Sequence, residues 1–236
     1  IEGGVGSQYG GSDDADNSGV FSYVRIEYPG IAFLPNNEIN GLTMGGVGSG
    51  TNIDHVQVSY SGDDSFEMFG GTVNLSHIIS LVPVDDNFDT DFGYRGKVQF
   101  AVSVADPNIA DISGSTGFES DNDGTGSLNT PRTQPWFSNV TVIGPMEDTG
   151  SVVNPLYTRG AHLRRSTQTS IYNSIVMGWP TGLFIDGSGT VSSASGDTLQ
   201  IRNSIWAGLR PGFRFLDNDA GAFDAEVWYH TPAYAN

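Results

Sequence analysis

The sequence predicts an all-β domain wound as a right-handed parallel β-helix (a β-solenoid) with loop insertions, and three observations predict it. Like residues recur at fixed offsets of about one coil. Segments rich in Val, Ile, Phe, Tyr and Thr alternate with Gly, Asn, Asp, Ser and Pro, the pattern of short strands and turns. No stretch carries Ala, Leu, Glu and Lys at a helical period. The 236 residues, 32 of them glycine, are enough for one domain with a full core, and no linker divides them.

Taken in order, residues 1–19 are rich in Gly, Ser and Asp and read as a loop. Tyr23-Val-Arg-Ile-Glu-Tyr-Pro-Gly30 reads as a strand and turn that returns 32 residues later as His55-Val-Gln-Val-Ser-Tyr-Ser-Gly62. After a further 22 residues His55 is echoed by His77, Asp63-Asp64-Ser65-Phe66-Glu67 by Asp85-Asp86-Asn87-Phe88-Asp89, and Gly71 by Gly93. The stretch 105–130 reads as a projecting loop, and Asn139-Val-Thr-Val-Ile-Gly144 as another copy of the strand. Asn173-Ser-Ile-Val-Met-Gly178 and Asn203-Ser-Ile-Trp-Ala-Gly208 lie 30 apart, with Gly182 and Gly212 in the same register and a loop over 186–197 between them.

Periods of 20 to 30 residues without intervening helices indicate a solenoid. The Leu and Asn framework of a leucine-rich repeat is absent, a propeller blade needs about 40 residues, and a sandwich does not require like residues to recur in one register. Coils stacked about 4.8 Å apart turn repeated residues into ladders. Phe66 and Phe88 are then stacked core aromatics, and Asn173 and Asn203 a turn ladder. His55 and His77 form a ladder of half-buried, hydrogen-bonded imidazoles or, less commonly, a shared metal or acid–base site.

Charge narrows the partners. The net charge is −17, and Lys97 is the single lysine. Such a surface repels phosphate backbones, so nucleic acid is excluded and anionic membranes are disfavoured. Divalent cations are the natural counterions. With no cysteine, stability rests on packing or metal. No apolar run reaches the roughly 18 residues of a membrane span. No signal peptide is visible and Ile1 replaces a start methionine, so the chain is expected to be a piece of a longer secreted precursor.

The acids point to a metal. Strand alternation puts Phe66 and Phe88 inward, and therefore Asp63, Ser65, Glu67, Asp85, Asn87, Asp89 and Asp91 outward. Stacking brings Asp63 beside Asp85 and Glu67 beside Asp89, where like charges repel by roughly 0.9 kcal/mol per pair even in water. A bound cation or a retained proton offsets such a column, and calcium, with six to eight oxygen ligands, suits it. Glu119-Ser-Asp121-Asn-Asp123-Gly124 has the start of an EF-hand-like spacing, but Thr130 stands where the closing Glu belongs. Ser12-Asp-Asp-Ala-Asp-Asn17 is a further acidic turn. The expected metal ligands are Asp63, Glu67, Asp85, Asp89, Asp91, Glu119, Asp121 and Asp123. The alternatives are solvated turns without a specific ion and a catalytic acidic cluster.

Tyr94, Arg95 and Lys97 follow the acidic strand, and Trp179 follows the turn glycine Gly178, where a ring is expected to be exposed for sugar stacking; these four are the candidate ligand-binding residues. Trp206 replaces Val176 in the repeat and is expected in the core. His162, Arg164 and Arg165 form a basic cluster expected to be salt-bridged. No Gly-x-Ser-x-Gly elbow, Walker A sequence, His-Glu-x-x-His or cysteine nucleophile is present, and Gly46-Val-Gly-Ser-Gly50 has no following helix.

Ser12–Gly19, Tyr23–Glu27, Asn37-Glu-Ile-Asn-Gly-Leu42, Phe66-Glu-Met-Phe-Gly-Gly-Thr-Val73 and Asp85–Asp89 resemble segments of large secreted or lipid-anchored β-helix proteins of Bacteroidetes and marine Proteobacteria, some similar to cargo of the type IX secretion route. The resemblance covers roughly residues 10–145 well. It implies a pectate-lyase-like fold at the bacterial cell surface or outside the outer membrane, and it carries no catalytic residues. β-Helix polysaccharide lyases combine calcium-binding acids with a basic residue, which singles out Asp89, Asp91, Arg95 and Lys97; the Asp/Asp/His/Arg pattern of β-helix glycosidases is missing. The expected function is a non-catalytic, calcium-stabilised module that binds polysaccharide or other surface modules, or serves as a rigid adhesin or scaffold. The alternatives are a polysaccharide lyase or related carbohydrate-active enzyme, and a structural subunit of a surface assembly or filament, with self-assembly a further expectation.

Overall fold

The computed structural model describes residues 8–30, 39–212, 215–217 and 223–236. Residues 1–7 of the expected N-terminal loop, and Asn37 and Glu38 of the resemblance, lie outside the described residues.

Among the described residues the strands form two parallel sheets. The first contains β1 (Val20–Glu27), β3 (Asn52–Ser59), β5 (Asn74–Leu81), β7 (Lys97–Val104), β9 (Trp136–Ile143), β11 (Ser170–Tyr172) and β14 (Gln200–Arg202), with β12 (Ile175–Met177) and β15 (Ile205–Ala207) continuing the last two coils. The second runs β2 (Leu42–Gly45), β4 (Phe66–Phe69), β6 (Phe88–Asp91), β8 (Thr116–Ser120), β10 (Arg159–Leu163), β13 (Thr181–Ile185) and β16 (Phe215–Asp217). Successive strands of the chain alternate between sheets up to β10, so each coil contributes one strand to each, which is a parallel β-helix.

The register equals the sequence offsets. Val56 pairs with Val24 on one side and Ile78 on the other, Phe66 with Phe88, and Ile175 with Ile205. Phe66, Phe88 and Phe118 stack in the core at 5.9 and 5.6 Å between ring centroids. Each is fully buried, a large apolar contribution per coil. Gly71 and Gly93 both have φ +82°, and a side chain on Gly71 would strike the Val47 carbonyl at 2.4 Å, so the recurrence of glycine is enforced.

One column of residues bends every coil of the first sheet. Tyr23, His55, His77, Phe100, Asn139, Asn173 and Asn203 occupy equivalent positions, and all take left-handed φ between 47° and 57°. Asparagine tolerates this conformation best, and the Asn-Ser pairs of the last two coils break the strand there. Ser174 and Ser204 hydroxyls accept from the Val140 and Ser174 N–H groups in place of the ladder carbonyls.

Two loop expectations are corrected. The 105–130 stretch contains β8, because Phe118 pairs with Phe88 and must continue the core stack. The 186–197 stretch contains the helix α1 (Ser188–Ser195), where burial of Val191 and Ala194 overrides weak helical preference and Trp228 Nε1 donates to the Ala194 carbonyl. Residues 8–19 lie against the second coil, where the Cβ of any side chain on Gly48 would meet Asp16 backbone at 2.5 Å. At the C-terminal end α2 (Ala225–Tyr229) packs on β16, with the Tyr229 ring stacked on Phe215 at 4.3 Å.

Candidate functional site

The outward column of the second sheet reads Thr43, Glu67, Asp89, Glu119, His162, Phe184. Strand alternation puts Phe66, Met68, Phe88 and Thr90 in the core, so Glu67 and Asp89 emerge together one coil apart. The turn before each strand adds a second acidic layer. Asp64 Oδ1 accepts the Asp86 N–H at 2.8 Å, and Asp86 Oδ1 accepts the Thr116 N–H at 2.5 Å, so these aspartates tie three coils together. The two layers line a cleft of about 210 Å³ walled by Asp63, Asp64, Glu67, Asp85, Asp86, Asp89, Asp111 and Glu119 together with Ser113 and Gly114, with Arg164 as its one cation among the described residues.

Ser65 and Asn87 do not point outward as alternation predicts. They precede β4 and β6, at the corner where the pleat has not begun, and are fully buried. The Ser80 hydroxyl of the first sheet donates to Ser65 Oγ at 2.7 Å and accepts from Asn87 Nδ2 at 2.7 Å, forming a polar bridge across the core.

Crowding sets the protonation. Burial, then the neighbouring carboxylates Asp86, Glu67 and Asp89, push Asp64 well above the ordinary carboxylate range. Burial acts first on Asp86 and Asp89 as well, reinforced by Asp85 and Glu119 for the former and by Glu67 and Glu119 for the latter. Glu119 moves the other way: burial opposes its charge, but hydrogen bonding from His162 and the positive field of Arg164 outweigh it. Arg164 donates to Glu119 Oε1, and its Nε donates to Asp121 Oδ1 at 2.8 Å. Burial works against that cation and the two carboxylates more than compensate, so it is held fully protonated.

Oxygen donors converge at two points. One atom each of Asp64, Glu67 and Asp89 lie within 4.8 Å of one another, as do atoms of Asp63, Asp64 and Asp85. Asp89 Oδ1 is shielded from solvent without a hydrogen-bond partner, and Asn40 Nδ2 orients Glu67 by donating to Oε2. A hard divalent ion with flexible, all-oxygen coordination fits this donor set, and calcium fits it better than a nitrogen- or sulfur-preferring metal.

Of the eight expected metal ligands, Asp63, Glu67, Asp85, Asp89 and Glu119 meet in the cleft, and Asp91, Asp121 and Asp123 do not line it. Asp91 caps the Phe92 N–H at 2.6 Å, and burial raises its carboxyl to about 7. Asp121 pairs with Arg164 and Arg165. Asp123 caps its own turn, accepting from the Thr125 and Ser127 N–H groups at 2.9 and 3.0 Å. The opening acidic turn is likewise spent locally, with Asp13 accepting from the Ala15 N–H and Asp14 paired to Arg95. Sequence alone assigned no site role to Asp64, Asp86 and Asp111, and placed Arg164 only in a salt-bridged basic cluster. Asp64 and Asp86 were visible in the 22-residue repeat, whereas Asp111 and Arg164 arrive through loops and coils with no repeat signature.

Two ligand-binding expectations are corrected by burial. Tyr94 is fully buried with its hydroxyl donating to the Val73 carbonyl at 2.9 Å, and Trp179 is fully buried against Tyr157, because the chain after Gly178 turns inward. Trp206 is partly buried and packs against the core. Arg95 lines a different cleft with Tyr9, Asp14 and Phe92, and Lys97 sits on the first sheet with its ammonium 5.3 Å from the Trp136 ring centroid. Arg164 and Arg165 are salt-bridged as expected, and His162 Nε2 lies 2.9 Å from Asp186 Oδ2, within hydrogen-bond distance.

No helix among the described residues is long and apolar enough to cross a membrane. No curated protein and no solved structure matches the chain. A family model described as a pectate-lyase-like β-helix domain matches residues 3–214, which is most of the sequence. Stacked parallel coils, an offset-matched register and that match agree, and the chain belongs to the pectate-lyase-like β-helix domain family.

Proposed function

We propose that the protein is a non-catalytic extracellular β-helix module whose acidic cleft holds calcium and through it engages an anionic polysaccharide. One observation carries the reading: buried oxygens of Asp64, Glu67 and Asp89 converge in a cleft whose only lining cation among the described residues, Arg164, is committed to Glu119 and Asp121. A surface with net charge −17 repels uronate or sulfate groups. Calcium held by these carboxylates reverses the local sign and leaves coordination positions for sugar oxygens. The family's description and the coiled fold support a carbohydrate-related, extracellular role.

The lyase alternative requires a base beside the cation. Arg164 is locked as a cation by two carboxylates, Arg95 is paired with Asp14 outside the cleft, and Lys97 belongs to the opposite sheet. This separation favours binding over elimination.

Titration calorimetry with calcium, followed by polygalacturonate and alginate oligomers with and without chelator, tests the proposal. Expected are calcium-dependent glycan binding without unsaturated-uronate absorbance, and its loss in Glu67→Gln/Asp89→Asn. Accumulation of unsaturated product, or glycan binding indifferent to chelator, overturns it.

A further inference from the structure

The first sheet carries a second cluster of ligating side chains, chemically unlike the cleft. Asp54 and His55 are adjacent on β3, and the strand register places His77 of β5 directly beside His55. His55 Nδ1 lies 2.5 Å from Asp54 Oδ2 and His77 Nδ1 2.8 Å from Asp54 Oδ1, so a single carboxylate faces both imidazoles. The Ser76 hydroxyl donates to Asp54 Oδ1 at 2.5 Å and fixes the carboxylate between them. One donor atom from each of the three residues falls within 4.8 Å of the others.

The rings are held in place by their neighbours. Tyr23, His55, His77 and Phe100 stack as four parallel rings, with centroid separations of 4.5, 4.5 and 5.1 Å. All four residues share the left-handed backbone conformation that aims them off the sheet. The two histidine side chains remain 41% and 48% exposed, open to an ion from solvent.

We propose that Asp54, His55 and His77 form a binding site for a divalent ion of the zinc class. Two imidazoles and one carboxylate are the donor set such ions take, with a fourth position left to water. In a tetrahedral site with bonds of about 2.0–2.1 Å, neighbouring donors stand about 3.3 Å apart. The present separations of 2.5 and 2.8 Å are those of a proton shared between the same atoms. Replacing those protons by an ion lengthens each histidine–Asp54 separation by less than about 1 Å and turns the two exposed rings so that their nitrogens converge, a matter of side-chain rotation. Calcium is a poor occupant because two of the three donors are nitrogen. The site is on the sheet opposite the acidic cleft and does not rest on the function proposed above.

Zinc titration of tag-free protein by calorimetry, with cobalt absorption as a report of nitrogen ligation, tests it. The informative variants are His55→Phe and His77→Phe, since Phe100 already occupies the same column with the same backbone, so the stack survives while a ligand is lost. Expected is one zinc equivalent, retained in Glu67→Gln/Asp89→Asn, not displaced by millimolar calcium, and weakened at least about tenfold by either phenylalanine. Zinc binding unchanged in both histidine variants overturns the site, as does its absence from the unmodified protein.

Discussion

The two sheets of this β-helix stack the same coils at the same spacing and arrive at opposite electrostatic outcomes. On the first sheet the repeated position carries rings. Tyr23, His55, His77 and Phe100 pile face to face in partial exposure, and each added ring gains contact with the last. On the second sheet it carries carboxylates. Glu67, Asp89 and Glu119 line up behind Asp64 and Asp86, buried or mostly buried, and each added group raises the cost of ionising the others. Ladder geometry is therefore neutral machinery: it multiplies whatever the repeated side chain brings. Rings make a stack that stands alone, while acids make a site that requires protons or a cation.

The largest way to break this contrast is to remove the cation already built into the acidic column. Arg164→Ala removes the cation shared by Glu119 and Asp121, leaving Glu119 with His162 and Asp121 with the half-exposed Arg165 as their remaining partners. It is expected to cost about 3–5 kcal/mol, read as a drop of roughly 10 °C in Tm for a domain of this size. Next comes calcium itself. At about 100 times its dissociation constant it should stabilise the protein by about 2.7 kcal/mol, an upward Tm shift of roughly 5–10 °C that chelator reverses and Glu67→Gln/Asp89→Asn lacks.

The pH dependence sharpens the contrast further. Asp64, Asp86 and Asp89 are raised, and Asp91 stands near 7, so the folded chain holds more protons than the unfolded chain from about pH 4 up to those values. In chelator, stability should therefore fall as pH rises from 5 to 8, and saturating calcium should flatten the slope; a metal-free protein most stable at pH 8 contradicts the crowding argument. Asp64→Asn keeps an oxygen for the Asp86 N–H while removing one charge. In chelator at pH 8 it should raise Tm by about 2–4 °C, the equivalent of about 1 kcal/mol. Smallest is the ring ladder: His55→Ala should cost about 1 kcal/mol by denaturant melting, and His55→Phe under about 0.5 kcal/mol.

Much of this was legible because a solenoid converts sequence offset into spatial adjacency. The 22-residue echo of His55 at His77 and of Glu67 at Asp89 became pairing in the register, and the 30-residue echo of Asn173 at Asn203 became a shared left-handed turn. The reading weakened where an argument from strand alternation ran past the strand. Ser65 and Asn87 sit one residue before β4 and β6, and the corner turns them inward to meet Ser80. β8 was hidden in a glycine-rich stretch, although Phe118-Glu119 repeats Phe88-Asp89 at an offset of 30. Trp179 could not be placed from its neighbours, because whether a residue after a turn glycine goes in or out depends on the room left by Tyr157 and by Gly117, Gly144 and Gly160, which face the ring.

By itself the sequence determined the coil period, the identity of the stacked residues and the strongly acidic balance, since each is a property of spacing and composition. The tertiary structure decided which acids face one another. Asp111 and Arg164 reach the cleft from a loop and a later coil, Asp121 and Asp123 are drawn away into ion pairs and turn caps, and Tyr94 disappears into the core. The reason is physical: periodicity specifies neighbours along the stack, but a site also needs groups brought in across it, and their positions follow from loop closure and burial, which leave no repeat to read.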